Sequence, residues 1–153
     1  MGYRLDLAVG TSYSLDLLAL MTAPVAFALF DRQRGDGSLV DDPIATLQAL
    51  REYATRISLF CQAGQISVPP EFRSLLVYLE GSIHPVIPPD PEAIFHPKVW
   101  YIRYRGEGDG TTVYRLLCLS RNLTFDRSWD TILRLDGTAG QDSRWPELER
   151  FVN

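Results

Sequence analysis

The sequence predicts a mixed α/β domain, one β-sheet flanked by helices, and three observations carry that prediction. The chain has 153 residues, of which 46% are hydrophobic, so it holds one domain's worth of material for a core. Strand-like and helix-like segments alternate as far as Cys61, and beyond Phe95 the chain turns to consecutive strands rich in aromatic and branched residues. No internal repeat or low-complexity tract interrupts this order, so residues 1–153 are read as a single domain.

Arg4 to Val9 has the pattern of a short strand, and Gly10-Thr11-Ser12-Tyr13-Ser14 reads as a polar turn into an apolar helix from about Leu15 to Met21. Val25 to Phe30 is expected to be a buried strand, followed by a turn-rich loop from Asp31 to Gly37. Asp41-Asp42-Pro43 supplies an acidic cap and a first-turn proline for a helix reaching about Tyr53. Arg56 to Cys61 reads as the third strand and Leu75 to Leu79 as part of a helix. The prolines at 85, 88, 89 and 91 then mark an extended connector. Phe95 to Tyr104, Val113 to Leu119 and Thr131 to Leu135 are expected strands, the first two joined by the flexible loop Gly106 to Gly110. Trp145 to Phe151 is expected to be a last short helix.

Composition narrows the function classes. Fifteen basic groups against nineteen acids give a net charge of -4, which excludes a polycation built to coat nucleic acid. The charge is nevertheless uneven: residues 96–134 carry seven basic groups against four acids and are the only net positive segment. That segment holds Lys98, the single lysine beside fourteen arginines. Cys61 and Cys118 both sit in apolar runs and are expected to be reduced thiols, which fits a cytoplasmic protein. No metal-ligand spacing occurs, so neither metal nor cofactor is expected. The uncharged run Leu17 to Phe30 is too short for a membrane span and contains Pro24. The first residues lack signal-peptide and myristoylation patterns, so no membrane role is expected.

His96 and Lys98 stand two apart on an expected strand and therefore share a face, about 6 to 7 Å apart between Cα atoms. Ser120 and Asn122 share a face at the end of the next strand and offer hydrogen-bond donors. If the two strands pair, imidazole, ammonium, hydroxyl and amide converge on a site suited to one phosphate group.

His96-Pro97-Lys98, followed by Leu119-Ser120-Arg121-Asn122-Leu123-Thr124 and then by Ser128-Trp129-Asp130, resembles the HxK and SxN signature of the phospholipase D superfamily. The likeness is closest to its bacterial nuclease-like branch, found in restriction and phage-defence proteins, and covers mainly Phe95 to Leu135. It implies a metal-independent phosphodiesterase in which His96 attacks phosphorus and forms a phosphohistidine. Lys98 and Asn122 would offset charge on the non-bridging oxygens, Ser120 would support the same phosphate, and Asp130 would hold the imidazole tautomer. Arg121, Thr124, Ser12 and Tyr13 would line the substrate. Three positions depart from the pattern: Arg103 replaces a frequent aspartate, Leu119 replaces the glycine before the serine, and Asp130 replaces a glutamate. Pro97 within a strand would also require an edge or a bulge.

The family's chemistry uses two HxK motifs, one histidine attacking and one protonating the leaving oxygen. His84 is followed by Pro85 and Val86, and no second lysine exists. The missing half is therefore expected from a second copy in a homodimer or from another chain region. The resemblance favours DNA or RNA as substrate. The alternatives are an inactive nucleic-acid-binding or scaffold subunit of a larger defence or repair complex and, more remotely, a phospholipid phosphodiesterase.

Overall fold

The computed structural model describes residues 2–32, 43–71, 74–108 and 110–138. Among them the elements run β1 (Tyr3–Ser12), β2 (Leu15–Asp16), α1 (Leu17–Arg32), α2 (Pro43–Ala54), β3 (Ile57–Gln62) and β4 (Ile66–Ser67). A 3-10 helix (Ser74–Ser82) follows, then β5 (Ile83–Val86), β6 (Val99–Gly106), β7 (Thr112–Leu119) and β8 (Ile132–Thr138). The main sheet has six strands in the order β5-β3-β1-β6-β7-β8, and β2 pairs with β4 in a small second sheet. The expected mixed sheet flanked by helices is thus the observed architecture.

Strand direction is what positions the site. β1, β3 and β5 are parallel, as helical crossovers require, whereas β6, β7 and β8 form an antiparallel meander beginning against β1. The carboxyl ends of β1, β3 and β7 therefore lie at the same end of the sheet as the amino ends of β6 and β8. In sheets of this kind ligand sites collect at that end, where chain direction switches.

One face of the sheet supplies the core. Leu5, Ala8, Ile57, Leu59, Cys61, Trp100 and Ile102 are buried and pack with Leu20 of α1, Tyr53 and Ala54 of α2 and Leu79 of the 3-10 helix. Each large aliphatic side chain buried there contributes roughly 1.5–3 kcal/mol. α1 begins where Asp16 accepts the Leu18 and Ala19 amides at 2.8 and 3.3 Å, a carboxylate cap on otherwise unpaired donors. α2 opens on Pro43 as expected.

Four expectations are corrected. Val25 to Phe30 is not a strand but the second half of α1, which runs through Pro24. Val25 is the only β-branched residue in that stretch, and the alanine-rich, leucine-rich sequence around it favours helix. Pro24 is fully buried in the helix interior, where its ring replaces a donor at the cost of one ladder bond. Pro85 belongs to β5 rather than to a connector, and it is tolerated because β5 is an edge strand paired only with β3. The turn after the first strand starts at Tyr13, since β1 continues through Ser12. Finally, His96, Pro97 and Lys98 precede β6, so Pro97 needs no bulge. Residues 33–37, 41 and 42 of the expected loop and cap, and the expected helix Trp145 to Phe151, lie outside the described residues. Of the expected loop 106–110, Gly106 ends β6, Asp109 lies outside the described residues, and Gly108 and Gly110 take φ of 109° and 68°, values that glycine adopts without strain.

Gly10 allows the closest approach in the core. A Cβ there would stand 2.7 Å from Leu59 Cδ1 and 2.9 Å from Trp100 Cε2. Gly10→Ala is expected to cost about 1–3 kcal/mol by overpacking, which lowers Tm by on the order of 2–12 °C for a chain of this size. Thermal unfolding followed by circular dichroism checks this.

Candidate functional site

The His96 segment is held at the sheet end by three neighbours. Gln62, the last residue of β3, accepts the Phe95 amide at 2.7 Å. Thr11 of β1 accepts the Val99 amide through its hydroxyl at 2.9 Å, and the Lys98 carbonyl accepts the Leu119 amide of β7 at 2.9 Å. The backbone on both sides of His96 and Lys98 is thereby tied to β1, β3 and β7, and the two side chains meet. Lys98 Nζ lies 3.1 Å from each imidazole nitrogen of His96. Burial lowers the pKa of Lys98 below that of a free lysine, because the charged form loses water.

Tyr13 closes one side of the imidazole, its ring centroid 5.1 Å from that of His96 at an interplanar angle of 48°. The Tyr13 amide donates to Asn122 Oδ1 at 3.2 Å. This turns the Asn122 amide nitrogen, a donor, away from Tyr13 N–H. Ser12, expected to meet substrate, is instead buried: its hydroxyl donates to the Ser14 carbonyl at 2.6 Å and accepts the Leu123 amide at 2.9 Å. It serves as the buried tie between the turn after β1 and the chain after β7. The Asp16 amide donates to the Leu123 carbonyl at 2.9 Å and reinforces that tie.

Ser120 and Asp130 come together, but not as expected. Asp130 Oδ1 accepts both the Ser120 hydroxyl at 2.8 Å and the Ser120 amide at 3.1 Å. The hydrogen bonds of Asp130 thus run to Ser120, and among the described residues no carboxylate bonds the His96 imidazole. The cause is local: β7 ends and β8 begins side by side, so the residue before Thr131 faces the serine just after β7 rather than the histidine before β6. Ser120 also accepts the Thr131 amide at 2.9 Å.

Arg121 and Thr124 are likewise engaged with protein. Asp126 collects the Thr124 hydroxyl at 2.7 Å, the Ser128 amide at 3.0 Å, the Ser128 hydroxyl and an Arg121 ion pair at 2.7 Å. Arg121 also donates to the Ser128 carbonyl at 2.8 Å, while its Nε is buried without a partner. These bonds, the Ser128 hydroxyl foremost, hold the Asp126 carboxyl well below the ordinary carboxylate range. A carboxylate with a depressed folded pKa contributes stability that is complete above its unfolded value, near 3.8, and fades as the pH falls toward the folded one. Asp126→Asn is therefore expected to speed amide exchange at Thr124 and Ser128 while moving Tm by no more than about 2 °C. Hydrogen exchange at pH 6 checks the first statement and thermal unfolding the second; at pH 3 the parent should still exchange more slowly than the variant, because the folded carboxyl stays ionised there.

Arg103, at the departing position, is a structural residue. β1 carries a register shift between Leu5 and Leu7, and Asp6 at that bulge accepts Arg103 Nε at 2.5 Å and Arg105 Nε at 3.1 Å. Burial pushes the Asp6 carboxyl up, but the two arginines outweigh it and the net shift is downward. Sequence reasoning missed Gln62, Thr11 and Asp126. Gln62 had one signal, a polar residue ending an apolar strand, and Asp126 had the Asp-x-Ser spacing of a side-chain turn; Thr11 had none.

Cys61 is buried and Cys118 half-buried, both as free thiols. Among the described residues no three His, Cys, Asp or Glu side chains cluster as a metal site would require. No described helix is long and apolar enough to cross a membrane. Comparison with protein-family models, with curated proteins and with solved structures finds no match to this chain.

Proposed function

We propose that this chain is a half-site of a phospholipase D-like phosphodiesterase, acting on nucleic acid without metal through a phosphohistidine at His96. The observation that carries the reading is the contact of Lys98 Nζ with the His96 ring, at a sheet end that also brings Asn122 against Tyr13. An ammonium beside the nucleophile and a neighbouring amide donor suit a phosphate whose non-bridging oxygens gain charge in the transition state.

In this reading an imidazole nitrogen of His96 forms a bond to phosphorus as the bond to the leaving oxygen breaks, and that oxygen takes a proton from the His96 of a second copy. Water then attacks the phosphohistidine while the His96 of the second copy takes its proton, the P–N bond breaks, and both histidines return to their starting states. Lys98 and Asn122 hold the phosphoryl oxygens in both steps. Ser120 and Asp130 brace the end of β7 that carries Asn122, so Asp130 acts as a positioning residue.

The test is incubation with end-labelled single- and double-stranded DNA and RNA in EDTA, with a quench that retains acid-labile phosphohistidine. Cleavage with label trapped on the protein supports the reading; strict dependence on a divalent metal, or no cleavage at any concentration, overturns it. A second reading, a nucleic-acid-binding or scaffold subunit without turnover, is favoured by one observation: no described carboxylate orients His96. A monomer in solution that binds oligonucleotide without forming phosphoenzyme would establish that alternative.

A further inference from the structure

Trp129 is 98% exposed and Phe125, on the same loop, is 63% exposed. The other aromatics near the site do not share this exposure, since Trp100 and Tyr101 are buried in the sheet. Leaving a whole indole in water forgoes a large apolar contribution, and a loop free to move would fold it back. This loop is constrained: Asp126 ties Thr124, Ser128 and Arg121 together, and Asp130, the residue after Trp129, accepts the Ser120 hydroxyl at 2.8 Å. A shallow depression lined by Ser120, Thr131, Cys118, Leu119, Ile132 and Leu133 lies at the Ser120 end of this hydrogen bond.

The geometry points to Trp129 as a stacking platform for an unpaired base of single-stranded nucleic acid. The inference rests on the phosphodiesterase reading for the phosphate beside it. A base has two flat faces and polar edges, which fits an exposed indole on a hydrogen-bonded loop that also carries hydroxyl and carboxylate groups. An acyl chain fits less well, because Asp126, Arg127 and Ser128 stand between the aromatics and would have to leave water with them. Arg127 also places an exposed positive charge on this loop, whereas Arg121 is paired with Asp126.

The experiment compares a normal oligodeoxynucleotide with an abasic strand of equal length, for affinity and for cleavage in EDTA. The parent protein is expected to bind the normal strand about tenfold more tightly than the abasic one. Trp129→Ala should lose that preference and Trp129→Tyr retain most of it. Equal binding of both strands by the parent, a preference unchanged in Trp129→Ala, or no binding of either strand overturns the platform. So does a blue shift of tryptophan fluorescence that phosphatidylglycerol vesicles cause and oligonucleotide does not, provided it vanishes in Trp129→Ala. Cleavage with no base preference would sink the platform and leave the phosphodiesterase standing. A Trp129-dependent preference without any cleavage would do the reverse.

Discussion

Replacing His96 by alanine is expected to reduce metal-free phosphodiester cleavage by on the order of 10⁴-fold or more, the scale seen when a covalent nucleophile is removed. The loss should appear in kcat and in the amount of trapped phosphoenzyme together. The fold should survive, because His96 is exposed, lies outside the sheet ladder and makes its contacts through Lys98 and Tyr13. An unchanged Tm beside an abolished rate is therefore the expected pair of results. If the second histidine comes from another copy, each site in a mixed dimer combines one intact and one altered half. Titrating the parent with His96→Ala protein should then depress activity faster than simple dilution. A linear fall would mean that each chain works alone and would remove the dimeric half-site from the proposal.

Lys98→Arg is expected to lose about 10²- to 10³-fold in rate, the cost of a missing oxyanion donor, while folding normally. An arginine keeps the charge but spreads it over a planar fork. The space beside the imidazole is filled by one nitrogen lying 3.1 Å from both ring nitrogens. The same lysine should set the alkaline side of the pH profile. Burial lowers its pKa from the ordinary 10.5, so kcat/KM should begin to fall at a pH below that value as the ammonium deprotonates. In the arginine variant the residual activity should lack that limb, because a guanidinium does not titrate in this range. Full activity in Lys98→Arg, or an alkaline limb at or above 10.5, would show that the lysine is not the phosphate's charge partner.

Some of the site was legible because it is local. His96 and Lys98 are two residues apart, and an extended chain brings such side chains to one side whether or not the segment pairs in a sheet. That is why their contact is formed even though both lie ahead of β6. The α1 error has the opposite origin. A short apolar run has no period to distinguish helix from strand, and Pro24, of a type disfavoured in helix interiors, is buried within α1. β5 was lost for a related reason, since the permission for Pro85 comes from being at an edge, a property of the whole sheet.

The fold class, the order of most elements and the meeting of His96 with Lys98 were legible in the chain. Those follow from hydrophobic patterning, turn chemistry and spacing of a few residues. The hydrogen-bond partners are fixed only on folding, because these bonds join residues separated by tens of positions: Gln62 with Phe95, Thr11 with Val99, Tyr13 with Asn122. Folding also buries Ser12 between the turn after β1 and the chain after β7 and gives Asp130 to Ser120, since a side chain bonds what the strand order sets beside it. Sequence separation carries no information about that order until the sheet is assembled.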